Sequence, residues 1–194
     1  MNLYLPEGII LLHNTFVEDG IPHAFGGAIA LAYSGKPRAT TDIDINVFLT
    51  QDQRRRVLDS VSRLFRIVDR ETAERELEHS AQTRVRWDTT PVDLFFSNSA
   101  FHDAMARRAR PVDYVGTTIP VLSSEDLIIC KAAFSRPRDW ADIEDIFKIQ
   151  GSQLDGAYLT RWLDEFYEPQ DEPVQRIDAF LRAYGRGGGP EPSR

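Results

Sequence analysis

Apolar side chains in this chain recur with two different periods, and the change between them marks out the elements. Ile10, Leu11, Phe16 and Val17 fall at helical spacing and predict a first helix over 7–19 that ends near Gly20. Residues 22–25 read as a short strand. Gly27 then opens a helix through Ala28, Leu31 and Ala32 that stops near Gly35, and a loop covers 36–41. Ile43, Ile45, Val47 and Leu49 alternate with Asp44, Asn46 and Phe48, the period-two pattern of a strand. On that strand Asp42 and Asp44 share one side and the isoleucines the other.

The capping-box pattern Thr50 to Gln53 predicts a helix to about residue 64. Ile67 and Val68 suggest a short strand, and 71–79 a charged helix. Residues 83–87 and 92–96 read as two strands joined through Asp88-Thr89-Thr90. A helix over 101–109 follows, then an extended stretch over 112–121 broken by Gly116 and Pro120. From Ser123 onward the pattern is helical only. Ser123 or Ser124 caps a helix to about Phe134, and Pro137 opens the next, with Trp140, Ile143, Ile146 and Phe147 at helical spacing. Two further helices are predicted near 154–167 and 174–184. The Gly- and Pro-rich stretch 185–194 reads as a disordered tail. The expectation is an α+β protein: a mixed-sheet core over 1–121, a C-terminal helical segment over 122–184 packed on it, and the tail.

Composition narrows the setting. The 194 residues are 42% hydrophobic, enough for one packed interior with an appendage. The apolar run Ile9 to Leu12 is too short for a signal-peptide core or a membrane span, so no membrane partner is expected. The single cysteine, Cys130, excludes an intrachain disulfide and fits a reducing cytoplasm. It follows Ile128 and Ile129 and reads as a buried helix residue. The formal net charge of −7 argues against generic nucleic-acid binding. Arginines nevertheless cluster at 54–56, at Arg107, Arg108 and Arg110, and at Arg136 and Arg138. On one face these would track a phosphate backbone; otherwise each is solvated helix surface.

The chemistry sits in two short stretches. Gly26-Gly27 lies at a strand-to-helix turn, where backbone N–H groups can approach phosphate oxygens. Asp42 and Asp44 follow on one face of the next strand and offer the hard oxygen ligands that suit Mg²⁺. Phosphoryl and nucleotidyl transfer rest on such metal clamps, which need a third carboxylate from a neighbouring strand. Asp93, a lone charge within Pro91-Val92-Asp93-Leu94-Phe95-Phe96, is the best candidate.

Gly-Gly, then Asp-x-Asp after a short helix and loop, then an Asp on a later apolar strand, resembles the nucleotidyltransferase (polymerase beta-like) superfamily. The text Gly26-Gly27-Ala28-Ile29-Ala30-Leu31 with Arg38-Ala39-Thr40-Thr41-Asp42-Ile43-Asp44 is similar to the AbiEii and MenT-type toxins of bacterial toxin–antitoxin systems. Lys131, followed by Arg138-Asp139-Trp140-Ala141-Asp142, is similar to their later motifs. The likeness covers roughly 22–150. It implies a nucleotidyltransferase-like mixed sheet flanked by helices, Mg²⁺, and a nucleoside triphosphate. It also implies transfer of a nucleotide, often a pyrimidine, to the 3′ acceptor end of tRNA, with a block of translation and restraint by a co-encoded antitoxin. Asp42 and Asp44 would be metal ligands, with Asp93 beside them. Lys131 would contact the triphosphate, and Asp139 or Asp142 would complete the site, with Asp145 one turn further on. Where many superfamily members carry Gly-Ser, this chain has Gly26-Gly27. Thr40 and Thr41 could supply the missing hydroxyl, and either is a candidate for modification. Arg38 either orients its loop or meets phosphate.

Other readings compete. The same chemistry could act on a small molecule such as an aminoglycoside, or on a protein hydroxyl. A catalytically dead binding module is the third, and the converging acids argue against it. His23 is expected to be a core or loop histidine rather than a base, and Trp140 and Phe147 to be packing rather than base-stacking platforms.

Overall fold

The computed structural model describes residues 5–65, 67 and 70–185. They form α1 (Leu5–Glu18), β1 (His23–Phe25), α2 (Gly27–Leu31), β2 (Ile43–Thr50), α3 (Arg54–Ser62), α4 (Arg70–His79), β3 (Gln82–Trp87), β4 (Thr90–Ser97), α5 (Ala100–Arg108), β5 (Arg110–Tyr114), β6 (Thr117–Val121), α6 (Ser124–Phe134), α7 (Pro137–Gln150), α8 (Gly156–Phe166) and α9 (Glu172–Tyr184). The chain divides into two compact units, one of residues 1–29 and 39–122, the other of 30–38 and 123–194.

The first unit is built on a six-stranded mixed sheet in the order β3-β4-β2-β1-β6-β5. β2 runs parallel to β4 and antiparallel to β1, and β1 runs parallel to β6. Two hairpins close the edges: β3 pairs with β4 and β5 with β6, both antiparallel. The alternation along β2 decides its facing. Ile43, Ile45 and Val47 are buried beside their β4 partners Val92, Leu94 and Phe96. Helix α1 lies on that face, since the Gly8 backbone approaches Trp87 and Ile43. Phe65 stacks on Trp87 with ring centroids 4.8 Å apart. Asp44 and Asp93 point to the opposite face.

Local chemistry explains most element ends, and corrects some expectations. Thr50 does not cap a helix: it stays in β2, pairing with Ser97 across a register shift, and a 3₁₀ turn over Gln51–Gln53 leads into α3. Ile67 is not in a strand, and Val68 lies outside the described residues. The stretch over 112–121 is a hairpin. Its turn residues Val115 and Gly116 both have positive φ, the geometry of a two-residue hairpin loop. Trp87 pairs with Thr90, so the β3–β4 turn holds Asp88 and Thr89 alone. The tail predicted over 185–194 lies outside the described residues from 186 on.

The second unit is helical. Ser123 caps α6 by accepting a hydrogen bond from the Asp126 N–H at 3.2 Å. Buried Asp126 also accepts from the Ser123 hydroxyl at 2.8 Å and from the Tyr158 hydroxyl at 2.6 Å, tying the start of α6 to α8. Ser135 ends α6 in the left-handed region at φ 54, and Pro137 starts α7 at once. Phe147 on α7 packs against Phe180 on α9 with centroids 5.4 Å apart. Among the described residues no helix is long and apolar enough to cross a membrane.

Candidate active site

In the first unit the acidic residues line up by strand register. Asp44 on β2 is the direct partner of Asp93 on β4. Asp93 is in turn the direct partner of Arg84 on β3. The Arg84 guanidinium donates from Nε and Nη2 to the two carboxylate oxygens of Asp93, each at 2.6 Å. Asp93 is 3% exposed, so its charge needs a partner, and the bidentate guanidinium provides one. The hydrogen bonds to Asp93, and then the charges of Asp93, Asp42 and Asp44, push the Arg84 pKa up. All three acids therefore act on one cation. Asp42 precedes β2 by one residue and accepts a hydrogen bond from the Thr40 hydroxyl. Thr40 is half-buried, whereas Thr41 is exposed.

The glycine pair adjoins this row. The Gly26 N–H donates to the Asp44 carbonyl at 2.9 Å. Gly27 has φ +49, and a Cβ added there would fall on the Asp44 carboxylate. The absence of a serine at 27 has a physical cause: any side chain at that position would be strained and would displace Asp44. Among the described residues no three His, Cys, Asp or Glu side chains stand together as a preformed metal shell. The donor set still fits a hard divalent cation. Asp44 and Asp93 are register partners, Asp42 lies on the same side of β2, and the one guanidinium bonded to Asp93 feels the charge of all three.

A second charged cluster lies wholly in the helical unit. Lys131 on α6 is buried, with its Nζ 2.6 Å from Asp142 Oδ2 and 3.6 Å from Asp139 Oδ1. The tight α6–α7 turn brings the lysine to this pair, since Asp139 and Asp142 are three residues apart on one face of α7. Arg38 donates to both oxygens of Asp142, from Nε at 3.3 Å and from Nη2 at 3.2 Å. Arg136 holds Asp139 at 2.5 Å through Nε and at 3.3 Å through its backbone N–H. Burial pushes the Asp139 carboxyl up, but the Arg136 hydrogen bond and the Lys131 charge outweigh it and hold it below the usual range. Asp145, one turn on, is half-buried.

The remaining candidates resolve into packing. His23 is buried; its Nδ1 donates to the Ile21 carbonyl at 2.9 Å and its Nε2 lies 3.0 Å from His13 Nδ1. Trp140 donates to the Ser135 hydroxyl at 3.0 Å and lies under the Arg176 guanidinium at 4.1 Å. Cys130 is only half-buried, a correction to the fully buried residue expected. The arginines at 54–56 do not form a phosphate track. Arg54 pairs with Glu78, Arg55 with Glu74, and Arg56 donates to the Asp19 and Gly20 carbonyls.

A family model described as "Nucleotidyl transferase AbiEii toxin, Type IV TA system" matches residues 9–183. The chain belongs to the AbiEii family. It is a nucleotidyltransferase, and its family is that of toxins in type IV toxin–antitoxin systems. The fold of this AbiEii protein recurs in solved structures. The antibiotic-resistance factor ANT(2'')-Ia, known in solution, is 14% identical over 85% of this chain and 96% of its own, with a TM-score of 0.58. An antigenic nucleotidyltransferase-like protein from Paracoccidioides brasiliensis is 14% identical over 91% and 86%, with a TM-score of 0.53. Comparison with curated proteins returns no match. These likenesses bear on fold alone, and they agree with the nucleotidyltransferase-like mixed sheet expected from the sequence.

Proposed function

We propose that this AbiEii protein transfers a nucleoside monophosphate from a nucleoside triphosphate to the 3′ acceptor end of tRNA, with Mg²⁺ as its cofactor and a pyrimidine as the preferred base. The observation that carries the reading is the register row of Asp44 and Asp93, with Asp42 on the same face and Gly26-Gly27 adjoining. Asp42 and Asp44 would hold the cations, and Asp93 would complete the set on the side of the acceptor hydroxyl. When bound, the metal lowers the charge on the phosphoryl oxygens and acidifies that hydroxyl. The acceptor oxygen attacks the α-phosphorus, a new P–O bond forms, and pyrophosphate leaves with the electron pair of the bond that breaks. The hydroxyl proton passes to a carboxylate of the row.

The Gly27 backbone N–H meets a phosphate oxygen, Gly26, whose own N–H is held by the Asp44 carbonyl, forms the turn that presents it, and Thr40 and Thr41 supply hydroxyls nearby. Lys131 contacts the triphosphate, and Asp142 and Asp139 hold its ammonium in place, with Arg38 shared between Asp142 and phosphate. The family supports restraint by a cognate antitoxin, and Thr40, bonded to Asp42, is the residue whose modification would act most directly on the acids.

Incubation of the purified protein with total tRNA and each labelled triphosphate tests the proposal. tRNA gains label in a Mg²⁺-dependent way, and Asp42→Ala abolishes both labelling and toxicity. Full transfer by Asp42→Ala overturns the metal assignment. Labelling of a protein or of an aminoglycoside while tRNA stays unlabelled overturns the acceptor.

A further inference from the structure

Asp93 sits where a metal-binding carboxylate is needed, yet both of its oxygens are bonded to Arg84. A bidentate guanidinium and a divalent cation compete for the same two oxygens, because each bond of the fork occupies a lone pair and the two positive charges repel. The asymmetry of the pair shows which partner can leave. The Asp93 side chain is 5% exposed, fixed in a central strand, and that of Arg84 is 54% exposed, on an edge strand. A long side chain at a sheet edge can swing into water without burying its charge, whereas the aspartate cannot move out of the sheet. Arg84 also lies in the field of Asp42 and Asp44. One monovalent guanidinium thus balances an acid set that a divalent cation would balance better.

The geometry points to Arg84 as an exchangeable counter-cation, which neutralises Asp93 until a divalent metal takes that carboxylate and is released by the metal's arrival. The inference rests on the assignment of Asp42, Asp44 and Asp93 as the metal site. Arg84 is a positioning residue: it gives a buried carboxylate a partner and an orientation before the metal binds, and it sets how tightly the metal is held. Metal affinity in the absence of substrate is accordingly weaker than the three acids alone would give. The competition lies at Asp93, so the other arginine on the same face of β3, Arg86, has no part in it.

The test uses the full chain without nucleotide and Mn²⁺ as the probe, with binding read by calorimetry and by electron paramagnetic resonance. Arg84→Gln binds Mn²⁺ about ten-fold more tightly than the unaltered protein. Arg86→Gln removes the same charge from the same face and shifts the affinity less than two-fold. Arg84→Lys, which cannot bond bidentately, lies between, and it carries the comparison if the Gln variant does not fold. Mn²⁺ raises the melting temperature of Arg84→Gln more than that of the unaltered protein, because the metal alone restores a partner to Asp93. In the unaltered protein the Nε–H resonance of Arg84 shifts as Mg²⁺ is titrated in. Equal or weaker affinity in Arg84→Gln, or an equal gain in Arg86→Gln, overturns the exchange and leaves the metal site standing. Absence of Mn²⁺ binding in all of these proteins overturns both.

Discussion

The Lys131 ammonium lies 2.6 Å from Asp142 Oδ2, and both side chains are more than nine-tenths buried. A buried ion pair contributes little net stability, because desolvation offsets the attraction, but breaking it leaves a charge stranded. Lys131→Met is expected to cost about 3 kcal/mol. Arg38 remains on Asp142 and limits the loss. The double variant Lys131→Met/Asp142→Leu recovers most of that stability and none of the transfer. Urea unfolding alongside the tRNA-labelling assay separates the two effects. Recovery of activity in the double variant would remove Lys131 from the reaction.

Gly27 is constrained by its surroundings as well as by its backbone. An alanine there takes on a left-handed conformation, about 1 kcal/mol of strain, and its Cβ falls on the Asp44 carboxylate. Gly116 has φ +79 and open space around it, so Gly116→Ala carries the strain alone. Both variants are expected to lose about 1 kcal/mol or more in denaturant melts. Gly27→Ala also loses Mn²⁺ affinity and transfer, whereas Gly116→Ala keeps both. Equal metal affinity in Gly27→Ala would show that Asp44 tolerates displacement.

Arg86 shares a face of β3 with Arg84, and its register partner is Pro91, two residues before Asp93. Asp42 lies two residues before Asp44 on the parallel neighbour, so Arg86 belongs to the sheet row next to the acids. It is exposed and available to an acceptor phosphate. If the acceptor is RNA, Arg86→Gln lowers the salt dependence of RNA binding by about 0.7 in the log–log slope, the loss of one phosphate contact. The measurement is titration of labelled tRNA at several salt concentrations. An unchanged slope would place the acceptor elsewhere.

What the sequence could show depended on how far apart the interacting residues lie. Asp42 and Asp44 are legible because a strand's period is local, and Asp93 because a lone charge among apolar neighbours needs a reason. Arg84 was within reach of the same reading. With Trp87 paired to Thr90, counting back along both strands puts Arg84 opposite Asp93, but only once the turn is fixed at Asp88 and Thr89. The arginines at 54–56 show the opposite limit. Arg54 and Arg55 meet Glu78 and Glu74 on the next helix, Arg56 meets the Asp19 and Gly20 carbonyls, and nothing local announces those partners. Thr50 resembled a cap because strand pairing, which keeps it in β2, leaves no mark on a four-residue window.

His23 gives the protein a defined sensitivity to acid. Burial pushes its imidazole down to about 4, with the His13 charge adding to the fall and the Ile21 carbonyl opposing it. The unfolded chain takes up that proton near the ordinary histidine value of about 6.5. Between these values the unfolded state binds more protons, so stability is full above pH 6.5 and is lost as pH falls toward 4. The loss is on the order of 3 kcal/mol from this residue. His13 and His102, both lowered by burial, add in the same direction. A proton on His23 also reverses the contact, because Nδ1 already donates to Ile21, so a protonated Nε2 donates to His13 Nδ1 and His13 has to carry its own proton on Nε2. Unfolding free energies at pH 7.5, 5.5 and 4.5 therefore fall more steeply for the unaltered protein than for His23→Gln. The difference appears below pH 6.5 and levels off near 4. Parallel pH profiles for the two proteins would show that the His13–His23 pair carries no acid sensitivity.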